Sequence, residues 1–336
     1  MPDIKRPPAA SELASWCLIG AALLLVLWLH LLPALLAGLL VYELVHLIAP
    51  LLRLSGERSR LMAVVVLASL IVGLVTAAIF GAVAFFHSSA GSLPVLLQKM
   101  AEIIEGARDV LPSWAAESLP ANIDTLRQAL ADWLREHAPE LRLAGEEAGR
   151  GFAHILIGMV IGAMISLRET ASDRKHPPLA HALIERTARL GDAFRRVVFA
   201  QLRISALNTI ITGIYLAVLL PLLGVHLPLA KTLIAVTFVA GLVPIIGNLT
   251  SNAAIVIVSL AVSPWVALAS LVYLVVIHKL EYFLNARIVG SQIQARAWEL
   301  LLAMLAMEAA FGLPGVVAAP IYYAYLKQEL VERGLV

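Results

Sequence analysis

The chain has 336 residues, 60% of them hydrophobic and 14% charged, with a mean hydropathy of +0.88 and a formal net charge of +2. Soluble domains are about 45–50% apolar and about 25% charged, so this chain has too little polar surface to cover a water-soluble globule. A soluble enzyme, a nucleic-acid binder and a disordered chain are excluded, and an integral membrane protein remains.

Stretches without Asp, Glu, Lys or Arg locate the membrane. They cover 13–42, 61–98, 204–230 and 232–278. A crossing helix needs about 20 apolar residues to span the ~30 Å hydrocarbon core, where helical hydrogen bonding satisfies the backbone. The first apolar stretch, about Ser15 to Leu51, would be about 55 Å long as one helix. Pro33 lacks a backbone donor and disfavours helix at Leu32, so His30-Leu31-Leu32-Pro33 predicts a tight turn between two helices. Lys5 and Arg6 precede this pair and Arg53, Arg58 and Arg60 follow it, which puts both flanks, and the N-terminus, in the cytoplasm. The basic-then-apolar start lacks an Ala-x-Ala site and reads as a retained anchor. Cys17, the single cysteine, lies in this run, where redox chemistry is not expected.

Leu61–Phe86 then crosses outward. Segment 88–150 carries six Lys/Arg against ten Asp/Glu, a net −4. Its apolar residues recur at helical spacing (Leu96, Met100, Ile103, Ile104, Ala107, Leu111, then Leu126, Leu130, Trp133, Leu134), with breaks at Pro112, Pro120 and Pro139. It reads as a small extracytoplasmic helical insert. Gly151–Leu167 crosses back, with Gly158 and Gly162 forming a small-xxx-small face for close helix packing. Segment 168–203 has a net +4, and its stripe Leu179, Leu183, Thr187, Leu190, Phe194, Val197 predicts an amphipathic helix at the cytoplasmic surface. Ile204–Leu222 crosses outward, and Pro221, Gly224 and Pro228 mark a turn. Stretches 230–262 and 298–326 are each too long for one plain crossing, and each is interrupted: the first at Val243-Pro244-Ile245-Ile246-Gly247-Asn248, the second at Gly312-Leu313-Pro314-Gly315 and Pro320. Pro264–Tyr282 crosses inward between them. The expected fold is an all-α membrane protein of about eight membrane segments, two of them Pro/Gly-broken and hairpin-like. Its parts are helices 1–87, the insert 88–150, and a transport core 151–336 that includes the cytoplasmic segment 168–203.

The two broken segments are the most informative feature. Broken helices leave backbone N–H and C=O groups at membrane depth, tolerated only beside protein or a wet cavity, and secondary transporters hold substrates and ions with them. A plain proline kink is the bland alternative for either break alone. Two breaks, with Asn248 and Asn252 beside one, favour a substrate or ion pathway along Pro244, Gly247, Asn248, Asn252, Gly312, Pro314 and Gly315. Glu308 is the only charge between Leu300 and Leu326. A carboxylate at that depth costs on the order of 3 kcal/mol unless paired, wetted or protonated, so it is a candidate proton or cation carrier rather than a plain structural carboxyl. Glu43 and His46, and His278, Lys279 and Glu281, sit near predicted cytoplasmic helix ends. Their i, i+3 pairs lack the further carboxylates a di-metal site requires, so they read as interfacial or ion-paired residues that could form a cytoplasmic gate. Asn208, Thr209 and Thr212 share a face of the fifth helix, either as glue between helices or as pathway lining. The chain has no Gly-x4-Gly-Lys-Ser/Thr loop, no His-Glu-x-x-His, no Gly-x-Ser-x-Gly and no arginine ladder. No enzyme, cofactor or metal centre is expected.

Several motifs occur in order: Arg60-Leu-Met-Ala63, Arg195-Arg196-Val-Val-Phe-Ala-Gln201, Leu223-Gly-Val225, Gly241-Leu-Val-Pro-Ile-Ile-Gly-Asn248, Asn285-Ala-Arg-Ile-Val-Gly290, Glu308-Ala-Ala-Phe-Gly-Leu-Pro-Gly315 and Ala318-Ala-Pro320. Together, from about residue 15 to 330 without the insert, they resemble the autoinducer-2 exporter family of PerM-like permeases. The resemblance implies a bacterial inner-membrane permease of about eight segments, driven by ion gradients rather than ATP. Members are associated with export of a small signalling furanone, and some with sodium/proton exchange. Where the family carries a Gly/Leu-His-Pro element after Gly290, this chain reads Ser291 to Glu299, and it reads Met307-Glu308-Ala-Ala-Phe311 before the last break.

The resulting expectation is a secondary transporter exporting a small polar metabolite such as autoinducer-2, with substrate between the two breaks and Glu308 as the proton or cation site. The alternatives are a sodium/proton antiporter and a non-transporting scaffold acting through the insert. The expected partners are a small polar solute, H+ or Na+ as coupling ion and the lipid bilayer, with a homo-oligomer left open and nucleic acid excluded.

Overall fold

The computed structural model describes residues 10–52, 57–87, 123–168, 177–242, 246–260, 262–293 and 296–335. The predicted breakers Pro112, Pro120 and Pro244 lie outside these residues. The regular elements among the described residues are helical: α1 (Ala10–Trp28), α2 (Leu32–Ile48), α3 (Glu57–His87), α4 (Ile123–Glu136), α5 (Ala138–Arg168), α6 (Pro178–Ile214), α7 (Ala230–Gly241), α8 (Ile246–Leu260), α9 (Pro264–Ile293), α10 (Ala297–Phe311) and α11 (Leu313–Glu332). Among the described residues, five spans are long and apolar enough to cross a membrane: Ala10–Trp28, Leu32–Leu52, Arg58–Ala77, Ala138–Arg168 and Pro178–Leu222. Shorter apolar helices cover Ala230–Gly241, Gly247–Leu260 and Pro264–Ile277. The chain is a multi-pass membrane protein.

Local chemistry explains where the helices stop. α1 ends with His30 in the left-handed region (φ 57°), and the His30 and Leu31 amides donate back to the carbonyls of Leu27 and Val26. This is a Schellman closure with histidine in the position glycine usually takes. Pro33 then sits in the first turn of α2, where its missing N–H is harmless. α6 continues through one π-helical stretch, Tyr215–Leu219, into a short turn at Leu220–Leu222. Pro221 accounts for this irregularity, since it has no N–H to donate and its ring crowds the carbonyl one turn back. Gly224 (φ 78°) closes the helix, with the Val225 amide bonding to Leu220 and the Gly224 amide to Pro221.

Two differences from the sequence reading concern continuity. α5 runs unbroken across residue 150, where the insert was expected to end, although the predicted break at Pro139 is present between α4 and α5. α6 runs unbroken across 203–204, so the basic amphipathic segment and the following crossing are one rod. The predicted stripe is only half correct. Leu190, Phe194 and Val197 are buried, but Leu179 and Thr187 are exposed, and the inward line instead begins with Ala182 and Arg186.

The chain divides into two compact units. The first comprises Met1–Ser69, Ala148–Ala200 and Ile288–Val336; the second comprises Leu70–Glu147 and Gln201–Arg287. In the first, Leu23 of α1, Leu190, Ala193, Phe194 and Val197 of α6, and Ile321, Ala324 and Tyr325 of α11 form a core. α2 and α5 approach so closely that a Cβ on Gly158 would fall onto the Ala34 carbonyl, and one on Gly162 onto the Gly38 carbonyl. The predicted small-residue face is therefore used, against a second small pair, Ala34 and Gly38. In the second unit, Tyr215, Leu216 and Leu220 pack with Leu227, Leu233, Ile255 and Leu274.

Candidate functional site

In each interrupted segment the helices on either side of the break lie against one another. In the first unit, α10 and α11 lie antiparallel around a tip at Gly312. Gly312 has φ 63° and ψ −146°, a conformation almost confined to glycine. Its amide caps α10 on the Glu308 carbonyl at 2.7 Å, and its own carbonyl accepts the Gly315 amide at 2.9 Å to start α11. Pro314 occupies the first turn of α11. A Cβ on Gly315 would collide with the Met307 carbonyl, so the legs touch backbone to backbone just behind the tip. At the open end, the Glu299 carboxylate accepts from Lys327 Nζ (2.6 Å) and from the Tyr323 hydroxyl (2.5 Å). These two charges bracket the apolar run 300–326.

Glu308 stands one turn before the tip, exposed, on the α10 face that also exposes Leu301 and Leu305. Gly312 is exposed, Pro314 half-buried and Gly315 buried.

In the second unit, α7 and α8 pack together, and a Cβ on Gly247 would collide with the Ala240 carbonyl. A row of polar side chains on α6 fastens this pair. Gln201 Nε2 donates to the Gly241 carbonyl (2.7 Å), Ser205 Oγ to the Phe238 carbonyl (2.6 Å), and Asn208 Nδ2 to Asn248 Oδ1 (3.1 Å). Ser205 and Asn208 are buried, and Ser251 on α8, also buried, donates to the Asn248 carbonyl at 3.2 Å. Asn252 is half-buried. The row continues with Thr212, fully buried, and Tyr215, whose hydroxyl meets Ser270 Oγ at 2.9 Å, with Ser259 Oγ a further 2.9 Å on. Tyr273 stacks on Tyr215, ring centroids 4.0 Å apart, and its hydroxyl donates to the Ile211 carbonyl. Residues 201, 205, 208, 212 and 215 follow a 4-3-4-3 spacing, which places them on one helix face over about 21 Å.

Of the residues singled out from sequence, Asn208 and Asn248 bond each other, Thr212 lies buried in the same row, and Gly312 forms the turn between α10 and α11. Thr209 instead bonds its own helix at the Ser205 carbonyl. Sequence reasoning missed Gln201 and Ser205 as tethers and the Tyr215–Ser270–Ser259 chain, although the 4-3 recurrence of polar residues within an apolar run was available as a signal. The two breaks fall in different units. So do the expected gate residues. Glu43 and His46 belong to α2. A Cβ on Gly191 of α6 would lie 3.2 Å from Glu43 Oε1, and His46 Nδ1 lies 2.8 Å from the Tyr42 carbonyl. His278, Lys279 and Glu281 belong to α9, where Lys279 is exposed and the other two side chains lie outside the described residues. Among the described residues, no group of three His, Cys, Asp or Glu is placed to hold a metal ion.

A family model described as AI-2E family transporter matches residues 13–332. No curated protein and no solved structure matches the chain.

Proposed function

The chain belongs to the AI-2E transporter family, and from that premise we propose that it is a secondary transporter exporting a small polar solute such as autoinducer-2, driven by an H+ or Na+ gradient. The observation that carries this reading is the pair of interrupted segments, each with its two helices in backbone contact beside the break. In lipid, such interruptions are stable only where protein or water meets the exposed backbone groups. Asn208, Gly247, Asn248 and Asn252 line the pathway at one break, and Glu308, Gly312, Pro314 and Gly315 at the other. Pro244 belongs with the first group by sequence.

The charge contrast between 88–150 and 168–203 sets the orientation, with the N-terminus and the basic segment in the cytoplasm of a bacterial inner membrane and the insert outside. The membrane segments number about eight, counting the interrupted segments. Glu308 carries the coupling ion, because an exposed carboxylate beside exposed leucines in a membrane segment requires a wet or ion-bearing neighbourhood. Purified protein in liposomes, given a panel of neutral polar metabolites and labelled sodium under an imposed proton gradient, tests this. Gradient-driven flux of a neutral solute supports export; sodium flux alone would make the chain an antiporter. An unchanged pH dependence in Glu308→Gln would remove Glu308 from coupling.

A further inference from the structure

Arg186 is the largest fully buried side chain among the described residues, at 2% exposure. It lies in α6 where that helix meets α1 and α11. Its guanidinium packs over the Trp16 ring, 5.2 Å from the centroid, and Nη1 donates to the Ala182 carbonyl at 3.2 Å. Nε and Nη2 are buried with no hydrogen-bond partner among the described residues. These two nitrogens form one edge of the guanidinium, the fork that grips a carboxylate with two parallel bonds.

The neighbouring arginine is in the opposite condition. Arg189, one turn along α6, binds three carboxylates: Glu329 at 2.9 Å, Glu332 at 2.7 Å and Glu185. Arg186 holds none among the described residues. Glu329, 5% exposed, gives Oε2 to Arg189 and to the Trp16 indole N–H (3.0 Å), while its buried Oε1 makes no well-formed hydrogen bond among the described residues and has only the Tyr325 hydroxyl beside the carboxylate. Tyr325 lies against Glu329 and both arginines, and Arg333, paired with Glu12 at 2.7 Å, covers Trp16 at 4.8 Å. An unfilled guanidinium fork and a carboxylate oxygen without a well-formed hydrogen bond thus border the same indole, beside a cation that is oversubscribed. Leaving a buried charge uncompensated is strongly unfavourable, so an unfilled fork persists only if a partner reaches it in another state.

We propose that Arg186 is a second seat for the Glu329 carboxylate: Glu329 exchanges between Arg189 and Arg186, giving α11 two settings against α6. Arg186 is a positioning residue in this scheme. α11 carries the Gly312 tip at its far end and is fastened to α10 through Glu299, so the setting of its C-terminal end bears on the whole hairpin.

Redundant seats leave a non-additive trace in stability. The test is the melting temperature of purified full-length protein in one detergent, for Arg186→Met, Arg189→Met and the double variant. Arg186→Met alone is expected to leave the melting temperature unchanged or raised, because no bond from its fork is lost. Arg189→Met is expected to cost little, because Glu329 moves to Arg186. Together they strand a buried carboxylate, and the melting temperature falls by about 10 °C, well beyond the sum of the two single changes. Adding Glu329→Gln to the double variant restores most of the loss. If the double variant does not fold, its recovery by Glu329→Gln still reads the same point. A loss in Arg186→Met alone as large as in Arg189→Met, additive losses, or no rescue by Glu329→Gln would each overturn the proposal.

Discussion

The bond between Asn208 and Asn248 makes a quantitative prediction for the second unit. It spans 3.1 Å between α6 and α8, and Asn208 is 5% exposed. Replacing Asn208 by leucine removes the donor and leaves the half-buried Asn248 amide oxygen short of one partner, which costs about 1 kcal/mol. Part of that cost reflects cavity shape and lost packing, so the single variant does not isolate the bond. A double-mutant cycle with Asn248→Leu does. Interhelical hydrogen bonds within membranes couple by about 0.6 kcal/mol on average and up to about 1.7, because the unfolded segments also find partners. This pair is half-buried and one rung of a row fixed on both sides, so the expected coupling is about 1 kcal/mol. The assay is reversible unfolding in mixed micelles titrated with a denaturing detergent, followed by circular dichroism for all four proteins. A coupling below about 0.3 kcal/mol would be indistinguishable from additivity and would refute the view that the row holds the α7–α8 pair.

Close packing in the first unit predicts that Gly158→Leu or Gly162→Leu forces α2 and α5 apart, lowering stability by about 1–3 kcal/mol or more, whereas Gly20→Leu, with open space around its Cβ, has little effect. Thermal unfolding in detergent compares the three. Glu299→Gln should lower the melting temperature, because Lys327 at 2.6 Å and the Tyr323 hydroxyl lose their carboxylate partner, and an unchanged melting temperature would contradict the view that this contact closes the open end. Glu308→Gln should leave the melting temperature within the range of ordinary surface changes, since Glu308 is exposed, while altering the pH dependence of flux.

Much of this architecture was legible in the sequence because backbone chemistry is written in single residues. Pro33, Gly224 and the Gly312–Pro314 pair each mark a real helix end, and Gly158 and Gly162 mark a real close approach. What escaped reading depended on partners far along the chain. Charge told where α6 should leave the cytoplasm, but no helix breaker lies at 203–204, and hydrogen bonding carries the rod straight through. Arg186 and Glu329 carried no signal of their own, because sequence alone does not show which charges a fold encloses. Three helices close over them, using Trp16 and Tyr325 as walls. Glu299 and Lys327 read as flanks of an apolar run, although hairpin closure brings them to 2.6 Å. The serines and tyrosines of the second unit were silent one at a time, since a hydroxyl in an apolar run can always bond its own helix. Only their 4-3 recurrence separates a row from scattered hydroxyls.

The most direct measurement is gradient-driven solute flux in proteoliposomes, wild type against Gly312→Ala. A methyl group at φ 63°, ψ −146° costs about 1–3 kcal/mol, enough to deplete the native tip by about tenfold or more without unfolding the helices. Flux that depends on the imposed gradient in wild type, and drops by about that factor in a variant of unchanged helical content, is the expected result. Equal flux in both proteins, or none in wild type with any solute or ion under any gradient, would contradict the claim that these interrupted helices form a transport pathway.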